Sequence, residues 1–348
     1  MRSGYGAQVD DSSPGSLEAT ASPTVPTVVV VTWQGAELLP TCLDSLSAQT
    51  MPHRVLVVDN ASTDATAETL AKYDVDVLTL DRNTGFAGGV AAALDVVRSD
   101  YVALLNNDAA ADPSWLEASA AVLDSSPDTA AVTSRLVLWD LDRNGQAILN
   151  NTGVALVAGG YGTDRGFGQP DGPPFDERQE VFGFSGGACL LRRSAVEASG
   201  GIAPEFFMYY EDADLSWRMR LAGYTIRYEP GAVVRHRHGA SSDLRSDSFA
   251  YFTERNRLLM LLRCAPLGFA IRQAGRFVAT TLSLAARRLT GQRIPEAAVF
   301  RLRVRLRALL GVARAARWAI QSRRAIGKRL TVPRTTVIET WLGRRLRD

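Results

Sequence analysis

Five short segments gather residues whose types and spacing could do chemistry. VVDNASTD (Val57–Asp64) ends a β-branched run in a carboxylate and an amide. A carboxylate at a strand tip can accept the N3–H of a uracil or thymine ring. LLNNDA (Leu104–Ala109) sets Asp108 just beyond another apolar run, where a carboxylate can hold a divalent cation against a sugar diphosphate. YYEDADLSWR (Tyr209–Arg218) clusters Glu211, Asp212 and Asp214 at a helix start, and one of them could take the proton of an attacking hydroxyl. VVRHRHGASS (Val233–Ser242) holds His236 and His238, two of the three histidines, beside Arg235 and Arg237, which suits a pyrophosphate–metal site. RNTGFAGG (Arg82–Gly89) could bring free backbone N–H groups close to a nucleotide, although its spacing fits neither a Walker A loop nor a dinucleotide fingerprint. Each segment also has a purely structural reading. Asx turns, acids that complement a helix dipole and tight glycine turns use the same residues. Phe206, Phe207, Tyr209 and Tyr210 could wall a sugar or simply pack.

The elements that must position these residues alternate in type. Thr27–Thr32 (TVVVVT), Val55–Asp59, Val75–Leu80 and Tyr101–Leu105 read as buried strands, separated by helical stretches at Glu37–Gln49, Asp64–Tyr73 and Phe86–Val97. This alternation predicts βαβ units in a doubly wound α/β sheet whose ligands sit at the strands' carboxyl ends. Asp59 and Asn106–Asn107–Asp108 fall at those ends. A helix at Pro113–Leu123 and a strand at Ala130–Leu138 follow. Residues 140–180 are rich in Gly, Asp, Asn and Pro and read as a long loop region. Ala188–Leu191 reads as a strand, Glu211–Leu221 as a helix and Tyr224–Tyr228 as a strand. From about Ser248 the pattern is helical, broken at Pro266, Pro295 and Pro333. Three units are expected: a disordered tail over 1–24, an α/β domain over 25–247 and a basic helical region over 248–348.

Composition is that of an ordinary globular protein, 46% hydrophobic and 22% charged. The first 24 residues carry no apolar core, which argues against a signal peptide. No run approaches the roughly 18 apolar residues that a membrane-spanning helix needs. Cys42, Cys189 and Cys264 share no metal or redox spacing, so free thiols in a reducing compartment are expected. The net charge of +2 hides a split: residues 255–348 hold 22 of the 39 basic and 3 of the 37 acidic residues, leaving 17 basic and 34 acidic before them. Such an asymmetry between halves points to an anionic partner for the basic half, beside the plainer reading of a solvated helical face. Aromatics are sparse within it, which disfavours nucleic acid. A membrane surface fits better, since basic amphipathic helices lie in such interfaces and each cation adds about 1 kcal/mol.

Taken in order, the five segments and GFSGGACLLRR (Gly183–Arg193) resemble glycosyltransferase family 2, in its bacterial rhamnosyltransferase-like branch with the GT-A fold, over about residues 25–265. The resemblance implies a doubly wound, mostly parallel GT-A sheet with helices on both faces, and a metal-dependent, inverting transferase. Asp212 takes the place of the catalytic base. Thr32, Asp59, Asn60, Asn83, Gly85, Asn106 and Asn107 fall at donor-binding positions, with Asp59 against the nucleotide base. Asp108 and His236 fall at metal or diphosphate positions, with His238 as a second candidate for the latter role. Gly186, Gly187, Glu211, Asp214 and Trp217 fall near the acceptor and donor sugar. Two departures stand out. The first acid of the family's DxD motif is Asn106 here, and Val-Ala-Ala follows Gly89 where many relatives carry an Asn. The cofactor implied is Mg²⁺ or Mn²⁺. The partners implied are a nucleotide-sugar donor, a polyprenyl-phosphate-linked glycan acceptor and an anionic membrane surface, on the cytoplasmic face of the cell membrane. dTDP-rhamnose is the expected donor and a UDP-sugar such as UDP-galactofuranose the alternative; an inactive nucleotide-sugar-binding subunit is the reading from another class. The oligomeric state is left open.

Overall fold

The computed structural model describes residues 7–8, 25–237 and 245–343. Its first half alternates as the sequence predicts: β1 (Ala7–Gln8), β2 (Thr27–Thr32), α1 (Leu39–Ser47), β3 (Arg54–Asp59), α2 (Thr66–Leu70), β4 (Asp76–Leu80), α3 (Gly85–Val96) and β5 (Tyr101–Leu105). β4, β3, β2 and β5 lie side by side and parallel, and the order reverses at β2. That reversal opens a crevice at the carboxyl ends of β2 and β5. β1 is an edge strand antiparallel to β4, so Ala7 and Gln8 depart from the expected disordered tail.

The second half runs β6 (Ala109–Ala111), α4 (Trp115–Ser125), β7 (Thr129–Leu138), β8 (Leu149–Asn151), β9 (Val154–Val157), β10 (Tyr161–Asp164), β11 (Gln179–Glu180), β12 (Ala188–Arg192), α5 (Arg193–Ala198), α6 (Glu211–Leu221) and β13 (Thr225–His236). β12 sits antiparallel between β5 and β7, and β13 runs parallel to β7. The main sheet is therefore mixed, with β4, β3, β2 and β5 as its parallel half. Residues 140–180 are not one long loop. They fold into β8 against β7 and the β9–β10 hairpin, because Leu149, Val154 and Leu156 supply buried faces between the turn residues. The strand expected at Tyr224–Tyr228 continues to His236 through a register shift between Glu229 and Val233, which carries His236 to the sheet's end.

The chain closes with α7 (Asp247–Cys264), α8 (Leu267–Leu289), α9 (Leu302–Gly327) and α10 (Arg334–Trp341). These helices share the main core rather than forming a separate one. Leu259, Met260, Leu261, Cys264, Ala319, Ile326, Val337 and Trp341 belong to the same buried cluster as Phe182, Phe206 and Trp217. Trp341 packs on Phe182 at 6.3 Å, and the Arg220 guanidinium lies 4.4 Å above the Trp341 ring. The all-α segment begins with α7 at Asp247, so the expected boundary at 247/248 falls inside that helix, and the helices pack into the core of the α/β half. Among the described residues no helix is long and apolar enough to cross a membrane. All three cysteines are free and buried, and burial raises their thiol pKa values, that of Cys264 to about 12.

Candidate active site

The crevice is walled by turns that the strand tips hold in place. Asn107 Nδ2 donates to Thr32 Oγ1 at 2.9 Å, tying the end of β5 to the end of β2. Asn60 Nδ2 donates to the Gly85 carbonyl, and Asn60 Oδ1 accepts from the Thr84 N–H and hydroxyl. Asn83 Oδ1 accepts from Gly85 N. Asn60, Asn83 and Asn107 therefore use their side chains to shape the wall. Asp59 is 6% exposed at the tip of β3, with Oδ1 accepting from Ser62 N at 3.0 Å. Gly85 sits at φ +73°, and a Cβ there would meet the Phe207 carbonyl at 2.2 Å. That carbonyl accepts from Ala87 N at the start of α3. The glycine is needed for the close approach as much as for the backbone angle.

Asp108 and His236 meet across the sheet end. His236 Nε2 lies 3.1 Å from Asp108 Oδ1 and 3.3 Å from Asn106 Nδ2. His236 Nδ1 lies 2.7 Å from Asn150 Oδ1. An amide oxygen only accepts, so Nδ1 carries a proton, and that bond to Asn150 turns Nε2 toward Asp108. A carboxylate oxygen and a ring nitrogen directed at one point can share a proton or hold a cation between them. Among the described residues no group of three or more His, Cys, Asp or Glu converges as a metal cage. The donor set still fits a hard divalent ion that takes few protein ligands and fills its shell with phosphate oxygens and water. Asn106 contributes an amide here, one negative charge fewer than an aspartate. His238 lies outside the described residues.

Asp212 approaches from the other side. Gly186 N donates to its Oδ2 at 3.0 Å and Ala213 N to its Oδ1 at 2.6 Å. The next residue, Gly187, accepts the Asn106 N–H at 2.9 Å. The Gly186–Gly187 turn thus links the carboxylate at the start of α6 to the Asn106–Asp108 tip of β5. Burial raises the Asp212 pKa above the usual carboxylate range, and the two backbone N–H bonds pull against that rise. Glu211 is 6% exposed; burial, then the neighbouring Asp212, raises its pKa well above normal.

Two residues expected near the sugars lie elsewhere. Asp214 is fully buried, ion-paired to Arg218 at 2.8 Å and to Arg263 of α7 at 2.6 Å. Trp217 is fully buried in the core, edge-on to Phe182 at 5.7 Å. Successive helix residues are about 100° apart, so α6 offers its first turn to the crevice and these two positions to the core. The aromatics before α6 pack as well. Phe206 meets Trp318 at 6.0 Å, Phe207 stacks on Phe252 at 5.2 Å, and Tyr209 meets Phe249 at 5.0 Å.

Three residues were missed because they lie within the supposed loop. Asn150 fixes the His236 tautomer. Asn151 Nδ2 donates to Asp164 Oδ1 at 2.5 Å. Asp164 ends β10, and that strand packs on the start of α6, where Gly162 N donates to Tyr210 Oη at 3.2 Å. Its carboxylate is water-accessible but set in a protein-walled cleft. Desolvation, then the Asp212 charge, raises its pKa to about 6. The sequence signal was the NNTG pair of amides beside a four-residue alternating run, too short to separate from loop composition.

A switch-point crevice with Asp59 at one strand tip, the Asp108–His236 pair at the sheet end and Asp212 oriented opposite is the arrangement of a GT-A glycosyltransferase fold. Residues 27–200 match Glycosyl transferase family 2, and the chain belongs to that family. It is 28% identical over 239 residues to an N-acetylglucosaminyl-diphospho-decaprenol L-rhamnosyltransferase of Mycobacterium tuberculosis, a match covering 62% of this chain and 76% of the relative. It is 28% identical over 224 residues to the O-antigen chain rhamnosyltransferase RfbN of Salmonella typhimurium, covering 61% of this chain and 66% of that one. The fold matches the structure of GalNAc-T7 with UDP, GalNAc and Mn²⁺ at a TM-score of 0.55 and 15% identity, covering 69% of this chain and 48% of that protein.

Proposed function

We propose that the protein transfers L-rhamnose from dTDP-rhamnose, with inversion, to a hydroxyl of a lipid-linked cell-envelope glycan at the cytoplasmic surface of the membrane. The observation that carries this reading is the Gly186–Gly187 turn, which joins an oriented carboxylate, Asp212, to the Asn106–Asp108 strand tip. Asp59 accepts from the thymine ring, and the Gly85 turn closes the nucleotide side. Asp108 and His236 would hold Mg²⁺ or Mn²⁺, which when bound offsets the charge of the departing nucleoside diphosphate. Asp212 takes the proton of the acceptor hydroxyl as its oxygen attacks the anomeric carbon, and the C–O bond to the diphosphate breaks on the opposite face. Support for the sugar comes from the two rhamnosyltransferase relatives, and support for the lipid-linked acceptor from the decaprenol-linked substrate in the name of one of them.

The test is transfer to a polyprenyl-diphosphate-linked GlcNAc acceptor, with dTDP-rhamnose and UDP-galactofuranose compared as donors and the product's anomeric configuration read by NMR. Inverted rhamnoside formation is expected. Turnover of the UDP-sugar alone would replace the donor assignment, a retained configuration would remove Asp212 from its role, and donor binding without turnover would mark a binding subunit.

A further inference from the structure

α8 carries two separate apolar stripes. One, formed by Ala270, Phe277 and Leu284 with Gln273 and Thr281, is buried. The other, Leu267, Ile271, Val278, Leu282 and Leu289, is exposed at 53%, 58%, 39%, 66% and 89%. At about 100° per residue these five side chains fall within an arc of about 60°. This is a continuous ridge, not scattered surface leucines. α9 repeats the pattern with Leu306 at 58%, Leu310 at 48% and Ile320 at 54% exposed. Five of the twelve large hydrophobics exposed in the described protein lie on α8 and three on α9.

The charges around these ridges are of one sign. Residues 267–327 contain 13 arginines, no lysine, and Glu296 as the single acid. Some of that charge is spent internally. Arg305 bonds Thr281 Oγ1 and the Phe277 carbonyl, Arg323 bonds the Leu262 and Ala265 carbonyls, and Arg301 and Arg303 pair with Asp247. The exposed Arg272, Arg276 and Arg287 of α8 form a row beside its ridge on the side away from the core. An apolar ridge with a flanking arginine row matches the boundary of an anionic bilayer: acyl chains take the leucines and lipid phosphates take the guanidiniums.

We infer that the exposed Leu267–Leu289 face of α8, with its arginine row, is a membrane-docking surface that seats the protein on anionic phospholipid. This deepens the reading of a lipid-linked acceptor and rests on it for purpose only, because vesicle binding can be measured without any sugar. The ridge supplies depth and the arginines supply lipid selectivity.

The full chain is sedimented with vesicles of phosphatidylcholine alone or with 30% phosphatidylglycerol, beside Ile271→Asp/Leu282→Asp and Arg272→Gln/Arg276→Gln variants. The parent should bind the anionic vesicles, and salt should weaken that binding. Losing two inserted aliphatic side chains should lower partition by at least ~10-fold. The arginine variant should lose much of the preference for anionic lipid. Calorimetry with dTDP should give parental affinity for both variants, since these side chains are exposed and take part in none of the contacts that shape the crevice. Loss of dTDP binding by the parent itself would overturn the donor assignment and leave the docking result standing. Equal vesicle binding by the Asp variant, or by neutral and anionic vesicles, would overturn the inference. So would a parent dimer that the Asp variant converts to monomer without any vesicle binding, for then a second copy covers the ridge.

Discussion

Asp212 and Asp164 form a pair of carboxylates whose charges interact, and that interaction has a measurable sign. Both ionised forms are disfavoured in the cleft, and Asp164 titrates at about 6. Burial raises the pKa of the proposed base, Asp212, so it gains its proton at higher pH than an ordinary carboxylate, and transfer should decline on an acid limb above the ordinary carboxylate range. Interaction between two charges is reciprocal, and Asp164→Asn removes a negative neighbour of Asp212. The Asp212 pKa should fall and the acid limb of the kcat profile should move to lower pH. An unmoved limb would separate the two residues functionally. Asp212→Asn, nearly isosteric, should keep donor affinity and lose ~10²–10⁴-fold in transfer rate. Across the crevice, Asp108→Ala should abolish any gain in nucleotide affinity from Mn²⁺, measured by calorimetry with and without the ion. His236→Ala should show a milder form of the same defect. Asn150→Ala should resemble His236→Ala, because it frees the tautomer that presents Nε2 to Asp108.

The element that delivers Asp212 is held under strain. Phe207, Tyr209 and Tyr210 have φ values of 66°, 64° and 72°, a region that bulky residues avoid. α7 restrains this turn: Asn256, fully buried, donates from Nδ2 to the carbonyls of Phe206, Met208 and Tyr209 at 2.8–2.9 Å. The same turn caps α3 through the Phe207 carbonyl, so one strained segment touches the Gly85 turn, the start of α6 and α7. Asn256→Ala leaves several carbonyls without that donor, and kcat should fall more than KM rises. A parallel rise in KM with unchanged kcat would place its effect on substrate binding instead. Beside it, the buried Asp214–Arg218–Arg263 cluster fixes α6 to α7. Asp214→Asn leaves two buried guanidiniums undercompensated and should cost about 3–5 kcal/mol in denaturant unfolding.

At the scale of the whole molecule, the helical region is part of the folding unit. Ending the chain after Ala265 would remove Trp318, Ala319, Ile326, Val337 and Trp341 from the main core and expose Phe182, Phe206 and Trp217. Burying one such side chain stabilises by about 1.5–3 kcal/mol, and total stability is only about 5–15 kcal/mol. The shortened protein should therefore fail to give a cooperative thermal transition by circular dichroism. A cooperative, dTDP-binding fragment would show that the α/β half folds alone.

The sequence by itself determined the parallel half of the sheet, because TVVVVT and its neighbours are runs that only a doubly covered strand can bury. Local pattern set Asp59 and Asp108 at strand ends and Asp212 at a helix start, and the resemblance of the ordered segments to the family, rather than local pattern, singled out these three and His236. Glu211–Leu221 was found to the residue from local pattern. What the sequence did not contain was direction. Asp214 and Trp217 share a motif with Asp212, and only tertiary packing turned them into the core, Asp214 against Arg263 of α7 and Trp217 against Phe182. The weak run at 149–164 became β8 and a hairpin because β7 and α6 offered surfaces to cover, which brought Asn150 and Asp164 into the crevice. The basic composition of the C-terminal region was plain from the residues. Tertiary contacts decided which arginines bond carbonyls and carboxylates inside, and which remain beside an exposed apolar ridge.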